Sequence, residues 1–516
     1  MKSAALISFL AIVSSASVSA QTLPPFQQGL RALQQNHPAE ALTALTSAEQ
    51  DNPHDAAIRN FRGIALAQLG RKDEAAAEYR EAIRLNPQMA DAYRNLGYLE
   101  WTERHAEAAR AALNKSLALA PDDPFAHYYL ARVELDLADY PNAAGHLDKS
   151  RSVWPQDGEF LLQAAAAYSS LHRTADARAV LDRAQPLTLT EGQSVWLGAQ
   201  RLACQQLQAG TAVFEHLVAV SGNADWAQFD LALAYLMARQ SAAAEKTARA
   251  VPEPRRSGAD WTVMAVAEAE MNRHDDAIQS FRRAAELSPR DESAWLNLTR
   301  ELMEQLHYVD AVAAAQQAVN DVPRSYALRL RLGAAYLKSA RYQEAEEVFR
   351  DLIAKGDPAP TSAIGLARVF MSEGRAQEAA EVLGEAQQRL GSSFLLAYFH
   401  GIMLSRTAHP EEALAQFREA VRLNPQSAEA RQWLGKAELR AGQVDQAIVD
   451  LSEARKLDPH NQTARRLLAQ AYAIRKQPDL AAKYLREIKP GEVPPAAGEE
   501  WADFILPAWQ SPPAAP

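Results

Sequence analysis

Residues able to do covalent or metal chemistry are few, and their spacing does not bring them together. Cys204 is the only thiol in 516 residues. A reactive thiolate needs an electropositive setting, and a thiolate metal site needs further ligands at set spacings. The sequence around Cys204 carries neither motif, so the residue reads as a small core side chain. The twelve histidines never form H-E-x-x-H or any pair four residues apart, the arrangement that puts two imidazoles on one helical face toward zinc. No Gly-rich phosphate loop, nucleophile elbow or calcium loop occurs. The acidic pairs Asp122-Asp123 and Asp275-Asp276 precede or open helical stretches, where carboxylates answer the helix dipole. Arg255-Arg256, Arg282-Arg283 and Arg465-Arg466 are short pairs among acids and read as solvated faces. No catalytic residue, metal or cofactor is therefore expected, and no enzyme.

The material around these residues is helical. Hydrophobic residues make up 48%, yet aromatics only 7%, and there are just 22 glycines. Sheets favour β-branched and aromatic residues, whereas Ala and Leu favour helices. A formal net charge of −10 argues against a general nucleic-acid binder, which needs a basic face for phosphates. One cysteine excludes a disulfide framework.

Residues 1–20 have the form of a secretory signal. Lys2 gives a positive start, Ala4 to Val13 a short apolar run, and Val18-Ser19-Ala20 small residues at the −3 and −1 positions of a cleavage site. The run is short for crossing roughly 30 Å of hydrocarbon. Cleavage after Ala20 would leave a periplasmic or secreted protein with no stable membrane insertion.

The prolines expose a period. Pro53, Pro87, Pro121 and Pro155 are spaced 34 apart, and Pro289–Pro323 and Pro425–Pro459 keep the step. Proline cannot continue a helix and pushes the residue before it out of the helical region, so each marks a break between helices. Between the breaks, small residues fall at positions 8, 20 and 27 and bulky ones at 4, 7, 11 and 24. Trp261, Ala265, Ala277, Phe281, Ala284 and Pro289 form one such set; Gly401, Ala413, Phe417, Ala420 and Pro425 form another. Positions 4, 7, 8 and 11 share one face of a first helix, and 20, 24 and 27 share one face of a second. Small residues at 8 and 20 let the two helices approach. Neither buries its face alone, so neighbours must stack.

This pattern resembles the tetratricopeptide repeat. It implies an all-α, right-handed α-solenoid of about fourteen helix-turn-helix repeats, starting at 22, 56, 90, 124, 158, 193, 225, 258, 292, 326, 360, 394, 428 and 462. The repeats at 193 and 225 fit least well. The expected organisation is a signal at 1–20, an N-terminal array at 21–257 and a C-terminal array at 258–495, with a bend near Val251–Arg256. A Pro-rich tail at 496–516 completes it. Trp501, Phe504, Ile505 and Trp509 in that tail would cap the last repeat or dock a partner.

The resemblance further implies that first helices line a concave, peptide- or protein-binding surface, with positions 2, 5, 9 and 12 facing it. In the repeats at 90 and 124 these positions include Arg94, Tyr98, Trp101, Tyr128 and Arg132, residue types that anchor interfaces. The same residues could instead serve packing between repeats. Some members of the family clamp a C-terminal carboxylate across three repeats. Asn297 and Arg331 suit that role, but Thr262 and Val266 stand where other clamp residues would be, so no such clamp is expected. The chain reads as a non-enzymatic scaffold for a protein or peptide. The alternative is a structural subunit of an envelope secretion or polysaccharide-export complex.

Overall fold

The computed structural model describes residues 23–407 and 409–487. The signal segment 1–20 and the tail 496–516, with its Trp501–Trp509 cluster, lie outside these residues. The described chain is all-helical: α-helices follow one another from Pro25–Gln34 to Pro478–Arg486, with short 3-10 turns at Arg151–Val153 and Glu253–Arg255. The helices pair as hairpins, and the first helix of most pairs begins at its expected repeat start, as Ala56–Gln68, Ala90–Thr102, Pro124–Asp136 and Ala428–Arg440 do. Three starts differ: Pro25–Gln34 begins three residues after 22, Thr361–Ser372 one after 360, and the repeat expected at 193 two residues early. Glu191–Ala203 begins before 193, because Thr190 and Gln193 form a reciprocal capping box that sets the helix end.

Most first helices carry side-chain caps, although Ala90–Thr102 and Asp225–Met237 do not. Asp55 Oδ1 accepts from the Ala57 amide at 2.7 Å, and Ser427 Oγ from the Ala430 amide at 3.1 Å. The turn inside each hairpin uses another device. A residue with positive φ ends the first helix at position 15 of the repeat: Gly70, Gly374 and Gly442, but also Asn36, Arg104, Ala138, His172, Leu306, Ala340 and Lys476. The amide of the following residue then reaches back to a free helical carbonyl, as His105 N–H does to Glu100 C=O at 2.9 Å.

Position 24 holds the packing together. Tyr79, Leu113, Leu147, Phe281, Phe349 and Phe417 occupy it and are at most 1% exposed. Tyr79, Leu113, Phe349 and Phe417 each lie against the glycine at position 8 of their own first helix. Phe349 also touches Gly365 in the next repeat, so one ring fills the space among three helices. Burying such a side chain is worth roughly 1.5–3 kcal/mol.

The chain divides into two compact units that meet between Ala238 and Arg239. Within each, first helices pack on their own second helices and on the second helix before them, as Ala90–Thr102 does on Ala106–Leu119 and Lys72–Leu85. Successive first helices also touch, as Ala90–Thr102 does Pro124–Asp136 and Glu292–Glu304 does Tyr326–Lys338, whereas successive second helices make no contact of that extent. The stack is therefore tighter on the first-helix side, which makes that side the inner face of the curve.

Candidate functional site

In the first unit, four of the five candidate residues come together on first helices Ala90–Thr102 and Pro124–Asp136. The Tyr98 ring lies 6.0 Å from Trp101 and 4.7 Å from Tyr129. Tyr128 packs edge-on against Phe160 at 5.2 Å. The Arg132 guanidinium bridges the groups, 4.9 Å from the Trp101 ring and 5.4 Å from the Phe160 ring. Its Nη1 donates to Tyr128 Oη at 3.4 Å, and its buried Nε has no hydrogen-bond partner. Trp101 is held from the other side by an N–H donated to Asp136 Oδ2 at 2.7 Å. A guanidinium over aromatic faces is stabilised by about 0.5–2 kcal/mol per pair.

Burial raises the phenol pKa of Tyr98 and of Tyr128, for Tyr128 in spite of the nearby Arg132 charge. Both hydroxyls are thus donors at neutral pH. Tyr98, Trp101 and Arg132 are half-buried, while Tyr128 is buried. The cluster offers a fixed aromatic surface with one cation set in it.

Arg94 does not join this group. It is 9% exposed, and its Nη1 meets Asp123 at 2.6 Å and Asp91 at 3.0 Å. Asp123 also caps the next first helix by accepting from the Phe125 amide. Arg94 therefore ties one repeat to the start of the next.

Other residues singled out by type have structural settings. Cys204 is buried, with its sulfur 3.2 Å from Ser169 Oγ. In the second unit Asn297 is half-buried. Arg331 is buried, and desolvation together with the Arg300 charge lowers its guanidinium to about 10. Among the described residues no group of three His, Cys, Asp or Glu could hold a metal ion, and no helix is long and apolar enough to cross a membrane.

Sequence reasoning missed a set of buried carboxylates. Glu134, Glu268 and Glu438 all stand at position 11, which the repeat pattern assigns to bulky apolar residues. Burial raises all three, Glu134 and Glu438 to about 7. Glu134 faces His146 at 3.7 Å, and His146 in turn shares a 2.8 Å Nδ1–Nδ1 hydrogen bond with His127. His127 completes the chain at the Pro121 carbonyl, 2.8 Å away. Recurrence of Glu at one register position was the signal available.

The fold and its inner face define a helical-repeat scaffold, a stack of hairpins with no inserted catalytic domain among the described residues. A tetratricopeptide repeat model matches residues 26–90, 69–124, 296–360, 333–393, 401–451 and 434–497, more than half of the chain, and a second such model matches 261–291. The chain belongs to the tetratricopeptide repeat family. It is 31% identical over 105 residues to human protein O-mannosyl-transferase TMTC1, a match covering 20% of this chain and 12% of that protein's length. Similar solved structures include yeast Tom70, with 16% identity, 84% of this chain and 99% of that chain covered, and a TM-score of 0.40. The Cut9-Hcn1 hetero-tetramer of the APC/C gives 12%, 86%, 95% and 0.34, and MamA gives 20%, 30%, 91% and 0.29.

Proposed function

We propose that this chain is an exported, non-catalytic scaffold that binds a protein or peptide on the inner face of its first unit. The observation that carries the reading is the cluster of Tyr98, Trp101, Tyr128 and Arg132. It joins neighbouring repeats on the first-helix side and has a guanidinium set between aromatic rings with no carboxylate hydrogen-bonded to it. Aromatic and Arg side chains of this kind supply most of the energy of interfaces. Their rotamers are already held by packing, so little ordering entropy remains to be lost on the scaffold side. Export rests on the form of residues 1–20.

The test is capture of partners from extract of the source organism by the full chain, by Trp101→Ala and by Arg132→Met, with Asn114→Ala on an adjacent second helix as control. Far-UV circular dichroism establishes that each variant is folded. A partner retained by the parent and the control but lost from both inner-face variants supports the reading. Equal capture by all four contradicts it. Fractionation of cells decides the location: a cytoplasmic protein with residues 1–20 intact would remove the export part.

A further inference from the structure

The two repeats that fit the 34-residue pattern least well hold the two exposed tryptophans among the described residues, Trp196 and Trp226, at 36% and 38%. They stand on the successive first helices Glu191–Ala203 and Asp225–Met237, which touch each other within the first unit. On Asp225–Met237, the residues Trp226, Asp230, Leu233 and Met237 follow the spacing i, i+4, i+7, i+11 and so share one face. Leu231 points the other way, buried in one core cluster with Phe214 and Leu217 of the second helix Leu207–Val220. On Glu191–Ala203 the neighbours of Trp196 on its own face are Gly192, Ala199 and Ala203, too small to cover the indole. Single apolar residues on a surface are ordinary, whereas a strip of them across touching helices marks a contact surface.

One charge is set in this strip. The Asp230 carboxylate is half-buried, and among the described residues no side chain hydrogen-bonds or ion-pairs with it. Arg201, the one cation on these two helices, is itself buried and turned to Asp182 at 3.0 Å and Gln185 at 2.7 Å. Withdrawal from water raises the Asp230 carboxyl above its ordinary range, so a cation brought to it would be held. We infer that the strip receives a segment of a protein partner in which a Lys or Arg is flanked by apolar residues, the cation meeting Asp230 and its neighbours lying on Trp196, Trp226 and Leu233. A charge-assisted hydrogen bond to the carboxylate and attraction to the indole faces act on the same cation, and its methylene stem covers apolar surface. Residues 488–516 of this chain suit the strip poorly, since Glu492, Glu499, Glu500 and Asp503 outnumber Lys489. The inference rests on the proposed function in one respect, that the inner face of the first unit holds a protein segment, and it names the chemistry of that segment.

The experiment selects displayed random peptides on the immobilised full chain. The selected peptides are then titrated against the chain labelled with 5-fluorotryptophan, the Trp196 and Trp226 fluorine signals being assigned with Trp196→Phe and Trp226→Phe. The expected result is that enriched peptides share a Lys or Arg beside aliphatic or aromatic residues and shift both signals saturably. Gln in place of that cation in the peptide, or Asp230→Asn in the protein, should each weaken binding about tenfold or more, with Asp230→Glu retaining it. Trp226→Ala should weaken it as well. These side chains lie on the open strip, so folding should be intact, checked by unchanged signals from the other tryptophans. No enrichment over bare support, enriched peptides without a cation, unmoved Trp196 and Trp226 signals, or equal affinity for Asp230→Asn would overturn the inference. So would dimerisation lost in Trp226→Ala, or a Trp226 signal that moves on removal of residues 488–516, since either assigns the strip to another occupant. Peptide binding lost in Trp101→Ala but unchanged in Asp230→Asn would place the ligand on the Tyr98–Arg132 cluster, overturning this inference and leaving the proposed function standing. Partner capture indifferent to the Trp101 and Arg132 variants, with peptides still held through Asp230, would do the reverse.

Discussion

The ring of Phe417 lies directly against the backbone of Gly401, sixteen residues before it; a methyl carbon at Gly401 would stand 2.8 Å from Phe417 Cε1. The same pairing of position 8 with position 24 recurs at Gly63 and Tyr79, where the approach is 2.6 Å. The glycine is there for proximity, since each lies inside an ordinary helix. Gly401→Ala should therefore destabilise the second unit by about 1–3 kcal/mol, the usual cost of overpacking. Thermal or urea melts would measure it, and pairing the change with Phe417→Leu should recover part of the loss. Full tolerance of the alanine would contradict the packing described.

Leu306 presents the opposite case. It holds φ near 63° at the hairpin turn, and its side chain is 68% exposed. An L-residue in that region carries roughly 1–2 kcal/mol of steric strain, and little burial is there to offset it. Leu306→Gly should stabilise the chain by about 1 kcal/mol, seen as a higher denaturation midpoint with an unchanged slope. A lower midpoint would mean that Leu306 makes contacts the structure does not show.

Glu134 makes stability depend on pH. Its folded pKa of about 7 lies above its ordinary value because burial, helped by Asp139 and only partly opposed by Arg110, disfavours the charged form. The unfolded chain releases this proton first, so the contribution to stability falls as pH rises from about 4.5 to about 7 and is flat beyond. His146 runs the other way. Burial, His127 and Lys149 lower it to about 4, so its contribution falls as pH drops from 6.5 to 4. Glu134→Gln should match the parent near pH 4.5 and exceed it by about 1–2 kcal/mol at pH 8, a figure reduced for residual solvent screening. Melts across that range would show the divergence. A difference independent of pH would contradict a neutral buried carboxyl.

Phe281 tests the stacked character of the fold. Its ring is fully buried at position 24. Phe281→Ala should cost about 3–5 kcal/mol. In a quasi-one-dimensional stack the damage should stay near the repeat at 258 and its neighbours. Hydrogen exchange should rise in 258–323 and remain unchanged in 25–120. Uniform loss of protection would show a globally cooperative fold instead.

These positions show how far the sequence alone reaches. The period of 34, the helical pairs and the small–bulky register were legible because Pro53, Ala265, Phe281 and their equivalents each serve one repeated physical need. The hairpin turn was not, since position 15 tolerates Ala138, Arg104 and Leu306 as well as glycine, and residue type gives no cue. The capping box of Thr190 moved a helix start because a local hydrogen-bond pair outweighed the period. Among the candidate site residues, periodicity placed Tyr98, Trp101, Tyr128 and Arg132 on adjacent first helices. It could not tell Arg132, stacked on rings, from Arg94, ion-paired to a cap, because the difference lies in Asp123 of the next repeat. The buried carboxylates at position 11 were hidden for a related reason: a glutamate reads as exposed until its neighbours are in place.

We propose that the first-helix face of the first unit receives a protein partner. The most direct measurement is photo-crosslinking in the native cell, with benzoylphenylalanine placed at Tyr98 on the inner face or at Asn114 on the adjacent second helix. One discrete crosslinked partner is expected from position 98 and none from 114. Crosslinks from 114 with none from 98 would contradict it.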